Sequence, residues 1–235
     1  MKLDGRGFIV TGGTGNLGQA VVQALLAAGA RVAVPYRSED PWRELHSVVG
    51  STAALWGCRA DVADAEDARR FFDSAVSWLE QLDGVAALAG GYAGSGTLEV
   101  TSPGEWTDMM RINLETAHAT CRAALPHLLA RGGSVVTVSS RLAETGGPGA
   151  AAYAVSKAGV MALTRALALE NKDRGVRFNC VVPGIIDTPP NRAAMPSADV
   201  SRWTPPAEIA RVVVFLLAPE SSPVTGGVIP VHGRG

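Results

Sequence analysis

Apolar runs of strand length alternate with stretches of helical period along almost the whole chain. Seven runs, at 7–11, 31–35, 53–57, 84–89, 134–139, 177–182 and 228–231, are apolar at successive positions, many of them β-branched. That is the signature of strands covered on both faces, because a half-exposed strand would alternate apolar with polar. Between them, apolar residues recur at helical spacing near 17–28, 64–82, 104–130, 151–172 and 205–218. Local punctuation supports these helices. Asp64 can cap the second with Asp67 at its positive end, Ser102 and Pro103 open the third, and Gly29, Gly132 and Gly175 sit just past helix ends. Strand and helix in alternation predict repeated βαβ units. The expected architecture is one α/β domain over 1–235, a doubly wound seven-stranded parallel sheet with helices on both faces. The stretch 187–204 has no clear period and is long for a connection inside a domain, which predicts a substrate-binding lid.

Composition narrows the function classes. Of the 235 residues, 47% are hydrophobic and 18% charged, enough to bury a sizeable core. With 21 Lys and Arg against 22 Asp and Glu, the net charge of −1 offers no electrostatic footprint for nucleic acid or an anionic membrane. Cys58, Cys121 and Cys180 are far apart and match no metal-ligand spacing, so they read as buried apolar residues in a reducing compartment, with no metal site expected. The longest apolar stretch, near 84–98, holds five glycines between Asp83 and Glu99, and no signal-like segment opens the chain. A cytoplasmic protein acting on a small molecule is the expectation.

Candidate chemistry begins at 11–18, TGGTGNLG, which sits between the first strand and the first helix. Gly12 suits a tight turn, Gly15 lets backbone approach a pyrophosphate, and Gly18 lets the helix lie close to the strand. Gly12, Thr14, Gly15, Asn16, Leu17 and Gly18 are therefore candidate contacts to a dinucleotide. Asn16 stands where another small residue is common, and Asn tolerates left-handed backbone better than most. The second strand ends without an acid that would hold ribose hydroxyls. It carries Arg37 instead, which can pair with a 2′-phosphate, so NADP(H) is favoured and NAD(H) remains possible. Asp61, followed by Val62, either accepts from the adenine amino group or begins the next helix.

The most specific pattern is Tyr153-Ala154-Val155-Ser156-Lys157, which puts a phenol and an ammonium four residues apart on one helix face. A phenol near its ordinary pKa of about 10 is a poor base at neutrality unless a close cation stabilises the phenolate. Ser140, at the end of the fifth strand, can bond a carbonyl oxygen beside the Tyr, with Ser139 as the alternative if the register differs by one.

Taken together, TGGTGNLG, Asp61-Val62, Ala89-Gly90, Asn113, Ser140, the YAVSK motif and NCVVPGIIDTP at 179–189 make the chain resemble the short-chain dehydrogenase/reductase family over essentially its whole length. That resemblance implies a Rossmann fold and hydride transfer between a nicotinamide and a carbonyl or alcohol. It implies Tyr153 as acid/base, Ser140 orienting the oxygen, Lys157 holding the ribose and lowering the Tyr pKa, and Asn113 in a proton relay. It further implies Pro183 and Gly184 against the nicotinamide, Ile186 and Thr188 on its carboxamide, and a homotetramer or homodimer built on the helices near 104–130 and 151–172. Three features depart from the common pattern: Asn16, Ala87-Leu88-Ala89-Gly90 after the fourth strand, and the ending Pro230-Val231-His232-Gly233-Arg234-Gly235, where His232 is expected to pack rather than react. Segments 89–94 and 187–205 resemble dihydropteridine reductases within that family, which implies a second reading as an NADH-linked pterin reductase. Ser140 and Arg37 point away from it. A non-catalytic dinucleotide sensor is the reading of another class. Tyr92, Met195 and Trp203 predict a partly apolar or aromatic ligand.

Overall fold

β1 (Gly7–Thr11) is buried at every position and lies at the middle of the sheet, which is why its sequence, GFIVT, carries no polar alternation. The structure is a computed structural model that describes residues 1–50 and 52–234; Ser51 and Gly235, part of the expected 1–235 domain, lie outside the described residues. After β1 come α1 (Asn16–Ala27), β2 (Arg31–Tyr36), α2 (Glu39–Val49), β3 (Leu55–Arg59), α3 (Ala65–Leu79) and β4 (Gly84–Ala87). A second half follows with α4 (Pro103–Met109), a π-helical turn (Met110–Glu115), α5 (Thr116–Leu128), β5 (Gly133–Val138), α6 (Leu142–Thr145), α7 (Ala151–Asn171) and β6 (Val176–Pro183). It closes with α8 (Pro189–Ala194), α9 (Pro206–Leu217) and β7 (Val228–Val231).

All seven strands are parallel, in the order β3-β2-β1-β4-β5-β6-β7. The order reverses between β1 and β4, so the connections leaving them diverge and leave a crevice at their carboxyl ends. Two apolar layers sandwich the sheet. Val21, Val22 and Leu25 of α1 pack with Ile209, Val213 and Leu217 of α9 on one face. On the other, Phe71 and Phe72 of α3, Cys121 and Leu128 of α5, and Ala168 of α7 meet Val135 and Phe178. The expected doubly wound α/β fold is therefore the observed one. Among the described residues, no helix is long and apolar enough to cross a membrane.

Capping follows the sequence signals. Asp64 accepts from the backbone N–H groups of Glu66 (3.0 Å) and Asp67 (2.8 Å), and Ser102 from Glu105 (3.1 Å). Gly29, Gly132 and Gly175 all have positive φ past helix ends.

The differences have local causes. α2 was not predicted because only Leu45 is buried along it, leaving almost no apolar stripe, and Pro41 reads as a breaker. In the first turn Pro41 gives up only an N–H that has no intrahelical partner anyway. The expected helix near 104–130 is one rod broken by the π-helical turn, which no periodicity of side chains announces. Within the expected lid, 187–204, lie α8 and a 3₁₀ turn at Val200–Arg202. Its base is stapled: Asp187 N–H donates to the Thr204 carbonyl (3.0 Å) and Thr204 N–H to that of Ile185 (3.0 Å).

Phe178 is fully buried between β5 and the α5 and α7 layer. Phe178→Ala should lower the free energy of unfolding by about 3–5 kcal/mol, read from urea titration as a lower midpoint at unchanged slope. A loss under about 1 kcal/mol would contradict this packing.

Candidate active site

The glycine loop is shaped by collisions that side chains would cause. Gly12 has φ 70°, and a Cβ there would sit 2.8 Å from the backbone nitrogen of Ala89 after β4. At Gly18 a Cβ would strike the Gly12 carbonyl oxygen, so only glycine lets α1 lie this close to β1. At Gly15 a Cβ would meet nothing closer than the Gly12 carbonyl oxygen, at 3.4 Å, and Gly15 is the N-cap of α1, without any side-chain cap. The first N–H groups of α1 thus have no side-chain cap, an arrangement that with the helix dipole suits an anion. Asn16 is simply the first residue of α1, in helical backbone, so its left-handed tolerance is not called on.

Around this loop opens a cleft of about 530 Å³. Its walls include the predicted Gly12, Thr14, Gly15, Asn16, Leu17, Gly18, Arg37, Asp61, Val62, Ala89, Gly90, Ile186 and Thr188. Arg37 is exposed at the tip of β2 and, among the described residues, forms no ion pair. The acid nearest it along the chain, Glu39, accepts from the Tyr36 hydroxyl at 3.1 Å, and Tyr36 stacks on Trp42 with ring centroids 4.9 Å apart. Pro183, the last residue of β6, and Gly184 after it are not among the residues lining this cleft: Pro183 accepts from Arg141 N–H (2.9 Å), and Gly184 N–H donates to Val231 (3.2 Å). The Thr188 hydroxyl caps α8, accepting from Asn191 N–H at 3.4 Å, while the Ile186 carbonyl accepts from the Asn191 side chain at 2.8 Å.

Where β5 ends, the register of the two serines resolves. Ser139 turns inward and donates to the Lys157 carbonyl at 2.7 Å, whereas the Ser140 hydroxyl faces Tyr153. Burial pushes the Tyr153 phenol up, and the hydrogen bond from Ser140 works against that rise. Tyr92 packs its ring edge-on to Tyr153, with centroids 5.0 Å apart, and is itself exposed. Met195 is only partly buried, and Trp203, 8% exposed, packs at the stapled base of the 187–204 segment.

Lys157, one helical turn beyond Tyr153 on α7, is buried and donates to the Val138 carbonyl at 3.0 Å. Asn113 sits in the π-helical turn. Its oxygen accepts from Gly91 N–H (3.0 Å), and its amide donates to the Gly91 carbonyl (3.0 Å) and to Ser156 Oγ (3.2 Å). Gly90 must be glycine here, since a Cβ would lie 3.2 Å from Lys157 Nζ and 2.5 Å from Asn113 Oδ1. His232, expected to pack, has Nε2 buried 4.0 Å from Glu144 of α6 and, among the described residues, without a hydrogen-bond partner.

A family model described as enoyl-(acyl carrier protein) reductase matches residues 13–233. The chain is a short-chain dehydrogenase/reductase. Among its relatives, 3beta-hydroxysteroid dehydrogenase 1 of Eggerthella lenta is 34% identical, over 98% of this chain and 94% of the relative. The 3-oxoacyl-[acyl-carrier-protein] reductase of Thermotoga maritima is 31% identical, over 99% and 98%. The NADPH-bound short chain oxidoreductase of Pseudomonas aeruginosa PAO1, which contains an atypical catalytic center, superposes with a TM-score of 0.91 at 30% identity, covering 99% of this chain and 97% of that one. The chain is thus an NAD(P)-dependent oxidoreductase of this family, the class that its motifs predicted.

Several cleft residues were not predicted: Tyr36, Thr116, Asn191 and Arg111. Arg111 and Thr116 flank Asn113 at two and three residues, so the motif position that drew attention to Asn113 is the signal that would have reached them.

Burial depresses the Lys157 ammonium to about 8. In the unfolded chain a lysine titrates near 10.4, so between these values the unfolded state holds a proton that the folded state has released. This site therefore adds stability as pH rises across that window. The stability of wild type relative to Lys157→Met in urea should rise between about pH 7.5 and about pH 9.5, whichever protein is the more stable at neutrality; a constant difference would show that the ammonium is not desolvated.

Proposed function

We propose that this enzyme interconverts a small carbonyl compound and its alcohol with NADP(H), Tyr153 serving as the acid/base. The observation that carries the reading is the convergence of Tyr153, Ser140 and Lys157 beside a cleft whose glycine loop leaves a helix N-terminus uncapped. The residues suit a dinucleotide: N–H groups and dipole for the pyrophosphate, and Arg37 for a 2′-phosphate. When bound, that cofactor supplies or takes the hydride. Relatives whose names join an oxo group to reduction and a hydroxyl to dehydrogenation support the same pair of functional groups.

In this reading the Ser140 hydroxyl holds the carbonyl oxygen, and Tyr153 Oη gives it the proton that completes the alcohol. Oxidation runs the proton the other way. With its phenol raised by burial, Tyr153 rests protonated at neutral pH, ready to donate. Lys157 supplies the cation that makes the phenolate tolerable after the proton has left. Asn113 holds the 89–91 loop and α7 together and stands next to Lys157, placed to pass protons onward. The 187–204 segment closes the substrate side, with Tyr92 and Met195 as apolar contacts. Ser140 beside Tyr153 and Arg37 at the ribose end both argue against the NADH-linked pterin reading.

Tyr153→Phe should abolish turnover across a panel of ketones and aldehydes while NADPH still binds within about threefold, since only one hydroxyl is lost from the far end of the cleft. Undiminished activity would sink the assignment. Carbonyl reduction should fall, and alcohol oxidation rise, as pH increases into the alkaline range where the phenol ionises. Arg37→Ala should reduce a preference for NADPH over NADH by about tenfold or more, measured by fluorescence titration; an unchanged preference would remove Arg37 from phosphate recognition.

A further inference from the structure

Arg111 is the cleft residue that neither the glycine loop nor the Tyr, Ser and Lys cluster accounts for. It projects from the π-helical turn that carries Asn113, and its Nη2 donates to Asp61 Oδ2 at 3.0 Å across a separation of 50 residues. Both side chains line the dinucleotide cleft, Asp61 from the loop after β3 and Arg111 from the opposite side. The carboxylate is gripped a second time, because its Oδ1 accepts from Ala63 N–H at 3.0 Å. Its own backbone N–H donates to the Asp67 carboxylate at 2.6 Å, which fixes the loop beneath it.

A carboxylate has about four acceptor positions, and these two bonds leave the others free. Arg111 and Asp61 side chains are 51% and 36% exposed, and pairs so wet add little to stability. What the pair does fix is direction. An unpaired aspartate at this rim would rotate, whereas this one is held from both oxygens.

We propose that Arg111 is a positioning residue that holds Asp61 as the acceptor for the exocyclic amino group of adenine. The inference rests on the dinucleotide reading above. Adenine presents an N–H donor at that position and hypoxanthine an oxygen, so a fixed carboxylate accepts from the first and repels the second. The base, common to both nicotinamide cofactors, is what Arg111 serves; the 2′-phosphate belongs to Arg37.

The test titrates wild type, Arg111→Met and Asp61→Asn with NADPH, NADH and their deamino analogues, which carry hypoxanthine. Thermal melts confirm that each variant is folded. Wild type should bind the adenine cofactors about tenfold tighter than the deamino forms, the weight of one hydrogen bond to a charged acceptor. Arg111→Met should weaken NADPH and NADH alike by about that factor and leave both deamino analogues within about twofold. The double variant should be no weaker than Asp61→Asn alone, since both changes remove one interaction.

A larger loss for NADPH than for NADH would make Arg111 a phosphate contact and overturn the proposal. Equal losses on adenine and deamino forms would place Arg111 on the pyrophosphate or ribose and overturn it too. No loss at all would leave a surface ion pair only. Equal binding of adenine and deamino forms by wild type would refute the role of Asp61 while leaving the reductase intact; failure of wild type to bind any of the four would bring down the proposed function itself.

Discussion

The structure depends on how closely two backbones meet at the sheet's reversal point. Gly12 turns the chain out of β1 with a positive φ, its Cα facing the Ala89 backbone after β4, and Gly18 then brings α1 down onto the Gly12 carbonyl. Side chains at either place would drive α1 or the β4 loop away from β1. Gly15, the N-cap of α1, brings no side chain to that end of the helix, so its N–H groups stay available. A feature that costs the isolated helix stability becomes the feature that attracts an anion.

One step further along the crevice, a single amide ties three elements together. Asn113 bonds both backbone groups of Gly91 and reaches Ser156 on α7, and it holds this place through the π-helical turn, which adds a residue between α4 and α5. Gly90 completes the arrangement by leaving space for the Asn113 oxygen and the Lys157 ammonium on the same side. Buried polar groups stiffen a site when they are all bonded and weaken it when they are not. Here the donors and acceptors of Asn113 are engaged, so the loop after β4 is held to α7, the helix that carries Tyr153 and Lys157.

Strands were the legible part of this chain because burial on both faces leaves unbroken apolar runs: 7–11 coincides with the fully buried β1, and 228–231 coincides with β7 although that edge strand is partly exposed. β3, near the sheet's edge and partly exposed, starts at Leu55 rather than at 53. Helices were legible in proportion to their buried stripe, which is why α1 and α9 were seen and α2 was not. Site residues carried by one local motif, such as Tyr153 and Lys157, were equally visible. Contacts between distant segments were not: Arg111 with Asp61 depends on how two loops converge, which no spacing within either loop encodes. Ser139 and Ser140 needed the end of β5 to be placed, since strands alternate faces and one residue decides which hydroxyl meets the phenol. Trp203 read as a ligand contact because it is large and aromatic, and it is largely buried, 8% exposed, next to the stapled Thr204.

Lys157 is the residue that a sequence chosen for stability alone would not put here. Among the described residues it is buried without a carboxylate partner, its bonded acceptor the Val138 carbonyl, and burial has brought its proton affinity down to about 8. Replacing it by an apolar side chain of similar length would relieve that desolvation. Neighbouring elements instead conform to it: Gly90 clears the space before Nζ, and Ser139 bonds the Lys157 carbonyl, fixing α7 against the end of β5. Several elements therefore bend their local rules toward one unfavourable group, and such concessions collect where chemistry, not folding, sets the requirement. Tyr153 stands one turn away on the same helix with its phenol raised by burial, and in the proposed reaction a cation close by eases the loss of its proton.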